Sequence, residues 1–163
     1  MTQKTKAVIS VDYHGFPADS KAINLFCREH GLHYISDSAQ SLGAFRDGKP
    51  AGFYADAAVL SISPGKTLYA GEGGAIVTDD EALYERLLQF AHHPSRQKMA
   101  VGLTGYTEFT PLNGRINPLA AIVLKRSFAT SLIQLHKKQA CWFKELILLQ
   151  DAGLITLPVA MRH

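Results

Sequence analysis

AVISVDYHGFPADSKAINLFCREHGLHYIS, residues 7–36, holds two apolar runs separated by a helical pattern, and this alternation decides the fold class. Ala7 to Val11, apolar but for Ser10, reads as a short strand. After the Gly15-Phe16-Pro17 turn, Ala22, Ile23, Phe26 and Cys27 recur at helical spacing, and Gly31 follows as a C-cap. His33 to Ser36 reads as a second strand. Working outward, Ala57 to Ile62 and Ala75 to Val77 read as a third and a fourth, the last preceded by Gly71-Glu72-Gly73-Gly74. Asp79-Asp80 can cap a helix whose Leu83, Leu87, Leu88 and Phe90 share a face. Apolar strands without polar alternation suit a parallel or mixed sheet covered on both faces. The expected class is α/β, a mixed and mostly parallel sheet flanked by helices. From Asn117 onward glycine is absent until Gly153, which predicts one or two long helices, and Gly153 to Ala160 begins another strand-like segment.

The 163 residues are 47% hydrophobic and 19% charged, an ordinary globular composition of about one domain. Seventeen Lys+Arg against 14 Asp+Glu leave a net charge of +3, and no run of Lys or Arg exceeds two residues, so no nucleic-acid partner is indicated. No apolar stretch is long enough to span a bilayer, and the opening Met-Thr-Gln-Lys-Thr-Lys is no signal peptide, so membrane attachment is not expected. Cys27 and Cys141 match no metal or redox spacing and read as buried free thiols of a reducing cytoplasm. No metal site is expected.

Gly65-Lys66-Thr67 resembles the end of a phosphate-binding P-loop, but that loop needs glycine five positions before Gly65, where Leu60 stands. A different constellation fits better. Asp37 closes the second strand, Ser61 lies near the end of the third, and Lys66 follows in the next loop. Strand C-terminal ends of such a sheet converge on one crevice. A lysine among apolar residues and glycines suits a Schiff base, a carboxylate can hold a pyridine nitrogen protonated, and a hydroxyl with loop N–H groups can hold a phosphate. Those are the requirements of pyridoxal phosphate chemistry.

Ser36-Asp37-Ser38-Ala39-Gln40-Ser41-Leu42-Gly43-Ala44, Ser61-Ile-Ser-Pro-Gly-Lys66, Gly71-Glu72-Gly73-Gly74-Ala75-Ile76-Val77-Thr78 and Asn113-Gly114-Arg115 resemble, in order, the signature segments of the DegT/DnrJ/EryC1/StrS family. These are pyridoxal-phosphate sugar aminotransferases of fold type I, like aspartate aminotransferase. Val11-Asp12-Tyr13-His14-Gly15 resembles the strand and turn before the family's first helix. Ser36-Asp37-Ser38 and Val-Asp-Tyr-x-Gly also resemble the branch that aminates nucleotide-linked precursors of pseudaminic acid. Ser36 stands where many members have glutamate, Gly65 where threonine is frequent, and Asn117-Pro118 where Ser-Glu is usual.

The resemblance makes Lys66 the catalytic lysine that forms the aldimine with pyridoxal 5'-phosphate and carries the proton. Asp37 would pair with the pyridinium nitrogen, Gln40 with the phenolic oxygen, and Ser61 with the phosphate. Asn113 would reach the phosphate of the partner subunit's cofactor in a homodimer. The implied reaction moves an amino group from an amino acid, usually glutamate, to a keto group of a nucleotide-linked deoxysugar, in the cytoplasm and in polysaccharide or related glycan biosynthesis. Residues 1–116 would be the central part of the cofactor-binding large domain, 117–152 long helices leading out of it, and 153–163 the start of a C-terminal small domain. Family members carry a phosphate-binding turn before the equivalent of Ala7, so pyridoxal phosphate is expected to bind weakly to this stretch alone. The alternative is a truncated or inactive homologue serving only as a binding or assembly module.

Plainer roles exist for each residue. Asp37 can cap the turn at Ser38 to Leu42, Ser61 can be a strand hydroxyl bonded to backbone, and Asn113 can be a turn residue beside Gly114. His14 fits a turn or the crevice mouth. His92-His93 fits a helix end better than a metal site, and Trp142 and Phe143 fit packing.

Overall fold

The computed structural model describes residues 1–91 and 114–156, with the side chains of residues 89, 139, 142 and 143 left out. Strand β1 (Ala7–Val11), helix α1 (Ser20–Glu29) and strand β2 (His33–Asp37) form the expected β-α-β unit. Asp19 Oδ1 accepts the Ala22 N–H at 3.1 Å and caps the start of α1. The helix ends where the sequence places its stop. Gly31 takes a φ of +63°, Leu32 N–H bonds Cys27 O at 2.8 Å and Gly31 N–H bonds Arg28 O, so the last carbonyls are satisfied in a Schellman motif.

Strands β5 (Ala57–Ser61) and β6 (Gly74–Val77) complete a four-stranded sheet of order β1-β2-β5-β6. The first three are parallel, with Ile9 opposite Ile35 and Ile35 opposite Ala57, and β6 runs antiparallel to β5. Between β2 and β5 lies a two-stranded hairpin, β3 (Phe45–Arg46) and β4 (Lys49–Pro50), turning through Asp47 and Gly48 at φ +52° and +71°. Helix α2 (Glu81–Ala91) begins with Asp80 Oδ1 accepting the Leu83 N–H at 3.0 Å.

The C-terminal stretch is one helix, α3 (Pro118–Asp151), 34 residues and about 50 Å long. Asn117 caps it, accepting the Leu119 N–H at 2.9 Å, and Pro118 occupies its first turn. Leu132 and Leu135 pack so closely on Gly43 that a Cβ there would lie 2.7 Å from the Leu135 methyl, which seats α3 beside the loop after β2.

The core gathers Cys27, Tyr34, Ala44, Ala57, Ala58, Ile62 and Leu68. Ile9 and Val11 of β1 and Ile76 and Val77 of β6 stay exposed, so the described residues cover the sheet less completely than its apolar strands predict. No helix among the described residues is long and apolar enough to cross a membrane.

Of the two cysteines expected to be buried only Cys27 is, because Cys141 lies on an exposed face of the long helix. Burial, with a smaller contribution from the Asp56 charge, raises the Cys27 pKa above the ordinary thiol value, whereas Cys141 is exposed on α3. A thiol reagent at neutral pH is therefore expected to label Cys141 promptly and Cys27 only as the chain unfolds. Equal rates at both would contradict this packing. Burial also raises the pKa of Tyr34, against the opposing pull of its hydroxyl bond to Ser10. Both groups hold their protons more tightly folded than unfolded, so their contribution is complete below the ordinary thiol and phenol values and shrinks above them. Chemical denaturation should show stability falling as pH rises past 9.0 and 10.0; a constant midpoint there would contradict it.

Candidate active site

Register alone brings three chain exits together. Val11 lies opposite Asp37, and Asp37 opposite Val59, so β1, β2 and β5 end side by side. Asp12 N–H donates to Asp37 O at 2.9 Å and Ser38 N–H to Val59 O at 2.9 Å, extending both ladders beyond the strands. Ligand sites of parallel sheets form at such carboxyl ends.

There, His14, Gln40, Pro64, Gly65, Lys66 and Thr67 line a pocket of about 310 Å³. Lys66 is half-buried, and among the described residues its ammonium group has no hydrogen-bond partner. Gln40 Oε1 accepts the His14 N–H at 3.1 Å. That bond occupies the amide oxygen, and no partner holds the amide NH₂ among the described residues. His14 itself adopts φ +52°, a left-handed conformation unusual for a non-glycine residue.

Gly-Glu-Gly-Gly closes the lysine loop. Ser63 Oγ donates to Glu72 at 2.9 Å, Ile62 N–H to Gly73 O at 3.1 Å and Ala70 N–H to Ile62 O at 3.1 Å. Gly74 admits no side chain, because a Cβ would sit 2.8 Å from Leu60 O. Asp37 and Ser61 close their strands beside this loop, both half-buried. Asp37 Oδ1 accepts the Ala39 N–H at 3.1 Å, so its capping role is present as an Asx turn. Ser61 Oγ accepts the Ser63 N–H at 3.4 Å. Asn113, His92 and His93 lie outside the described residues, as do the side chains of Trp142 and Phe143. Among the described residues no cluster of His, Cys, Asp or Glu could hold a metal ion.

Sequence reasoning missed a polar cluster on the buried side of these loops. Asp12 is 1% exposed, and its Oδ2 accepts from Ser38 Oγ at 2.8 Å, Ser41 Oγ at 2.9 Å and Ser36 Oγ at 3.3 Å. Its Oδ1 accepts the Ala18 N–H at 2.8 Å. The available signal was an acid directly after an apolar strand, matched by a serine on the next strand and two more just past its end.

Three of the four motifs, Ser36–Ala44, Ser61–Lys66 and Gly71–Thr78, thus meet around one lysine loop, and the comparison with known proteins agrees with this reading. Residues 1–161 match the DegT/DnrJ/EryC1/StrS aminotransferase family. The chain belongs to this family. Over its whole length it is 32% identical to the UDP-N-acetyl-3-dehydro-alpha-D-glucosamine 3-aminotransferase of Acidithiobacillus ferrooxidans, of which it covers 43%. Among solved structures, it resembles Helicobacter pylori PseC, an aminotransferase of pseudoaminic acid biosynthesis, at TM-score 0.74 and 26% identity, covering 89% of this chain and 39% of that one. It resembles NtdA of Bacillus subtilis with bound cofactor PMP at TM-score 0.72 and 30% identity, covering 97% of this chain and 36% of that one. The DegT-family chain spans about two fifths of the length of these relatives. Its sheet is the fold type I sheet of this aminotransferase family, as expected.

Proposed function

We propose that the full-length protein carrying this chain is a pyridoxal-phosphate-dependent aminotransferase that moves an amino group from an amino acid to a keto group of a nucleotide-linked deoxysugar. One observation carries the reading: Gln40 and Lys66 line the same pocket, at the strand ends closed by Asp37 and Ser61. The pocket fits the cofactor's chemistry. It offers a half-buried primary amine with no hydrogen-bond partner among the described residues and an amide NH₂ with none.

When bound, the cofactor supplies an electron-withdrawing pyridinium ring that accepts the electron pair left as a proton leaves the substrate carbon. The protein supplies the rest. Lys66 Nζ would hold the cofactor and then move the proton at the substrate carbon. Asp37 would accept the ring N–H and keep that nitrogen cationic, as an adjacent carboxylate does. With its oxygen fixed by His14, Gln40 would present its NH₂ as donor to the phenolic oxygen. Ser61 and the loop N–H groups would hold the phosphate.

The same reading extends to Asn113, assigned to the phosphate of the partner subunit's cofactor in a homodimer. It also extends to glutamate as donor, to a cytoplasmic location and to polysaccharide or related glycan biosynthesis. The relative from Acidithiobacillus, named for a UDP-linked sugar, supports a nucleotide-sugar substrate. Residues 1–116 are read as part of the cofactor-binding domain, 117–152 as the helical exit from it and 153–163 as the start of a small domain.

Incubating the full-length protein with pyridoxal phosphate, ¹⁵N-glutamate and a nucleotide-linked keto sugar should give a ¹⁵N-labelled amino sugar by mass spectrometry. No transfer with cofactor bound would overturn this function and leave the binding-module reading.

A further inference from the structure

The Asp12 carboxylate stands outside the pocket yet grips the segment that carries Asp37 and Gln40. A buried ionised carboxylate is costly unless its lone pairs are satisfied, and here four donors converge on it. Their positions are informative. Ser36 and Ser38 flank Asp37, and Ser38 and Ser41 bracket Gln40. In extended chain successive side chains point to opposite faces, so holding Ser36 and Ser38 on the buried side directs Asp37 to the other. Ser38 has little freedom to depart, since a Cβ on Gly52 would lie only 3.1 Å from its hydroxyl. In the other chain direction, Asp12 is two residues from His14, whose N–H fixes the Gln40 amide.

We propose that Asp12 is the positioning residue of the pocket: one buried carboxylate sets the orientation of Asp37 and Gln40 by gripping the serines on either side of them. The assignment rests on the reading of Asp37 and Gln40 as cofactor ligands. A carboxylate only accepts, so the Ser38 and Ser41 hydroxyls turn their protons toward it, with Ser36 Oγ 3.3 Å from it and 3.0 Å from Ser38 Oγ completing the cluster; an amide of the same shape brings donors into the same space and breaks that arrangement.

The test is Asp12→Asn, with Ser38→Ala/Ser41→Ala as a second variant that keeps the carboxylate and removes two donors. Without cofactor, hydrogen exchange should be faster in both variants at the Ala39 and His14 amides, which bond the Asp37 and Gln40 side chains. With pyridoxal phosphate, the dissociation constant read from the Lys66-dependent near-visible band should rise by about 10- to 100-fold. The pH midpoint of that band should also shift, because Asp37 and Gln40 no longer hold the ring atoms they are assigned. A carboxylate that serves stability alone would lower the melting temperature and leave the affinity and pH midpoint at wild-type values, and this result overturns the proposal. If Asp12→Asn fails to fold, the double-serine variant decides by the same readouts. Wild-type protein without any Lys66-dependent band overturns the functional reading itself, whereas a normal wild-type band with unchanged variants overturns only the role of Asp12.

Discussion

Lys66→Ala is expected to abolish the near-visible absorption band that pyridoxal phosphate gains on condensing with a protein amine, and to reduce aminotransfer on the order of 10⁴-fold or more. The size of the effect follows from the pocket. Its remaining lining residues are His14, Gln40, Pro64, Gly65 and Thr67, none of which offers a primary amine. The same loss removes the group assigned to carry the proton, so binding and chemistry fail together. The fold should survive, because the Lys66 backbone N–H bonds Ser63 O while its ammonium group holds no other described residue in place. Circular dichroism and melting temperature should therefore match wild type. A variant that keeps the band would move the chemistry to another lysine.

Gly52→Ala should be the most damaging single-methyl addition to the fold, at about 2–4 kcal/mol. The new Cβ would lie 2.6 Å from the Ala58 Cβ and 3.1 Å from Ser38 Oγ, at a backbone φ of +76°. Ala58 belongs to β5 in the middle of the sheet, and Ser38 is gripped by Asp12, so neither neighbour can retreat cheaply. Thermal unfolding should show a drop of roughly 5–15 °C. Gly65→Ala is the control, with φ +83° and open space around its Cβ, and should cost only about 1 kcal/mol. Equal melting temperatures for the two variants would contradict the packing at Gly52.

Much of the sheet was legible because local and periodic signals agree there. Ala7–Val11 is apolar but for Ser10, Asp19 and Gly31 bracket α1 with side-chain and backbone caps, and the 34-residue α3 contains no glycine, with its one proline in the first turn. The direction of β6 was not legible in composition. Residues 62–73 contain no helix to carry a parallel crossover, and the Gly-rich turn that returns β6 beside β5 is clear only once Gly73 O is seen to accept from Ile62. The hairpin β3-β4 escaped because two-residue strands have no periodicity, although Asp47-Gly48 is a turn dipeptide. Of the candidate site, Lys66 and Gln40 share a pocket, while Asp37 and Ser61 lie at adjacent strand ends with local backbone bonds of their own. The Asp12 cluster was hidden for a physical reason. Its logic is tertiary: a single acid and three serines, one on β2 and two in the loop after it, mean little until a parallel register brings them together.

Borohydride reduction of the protein held at saturating pyridoxal phosphate, followed by peptide mapping, tests the central claim most directly. The reduced adduct should concentrate on the peptide containing Lys66 and disappear from it in Lys66→Ala. An adduct spread evenly over surface lysines, with Lys66 no more modified than the rest, would contradict the account.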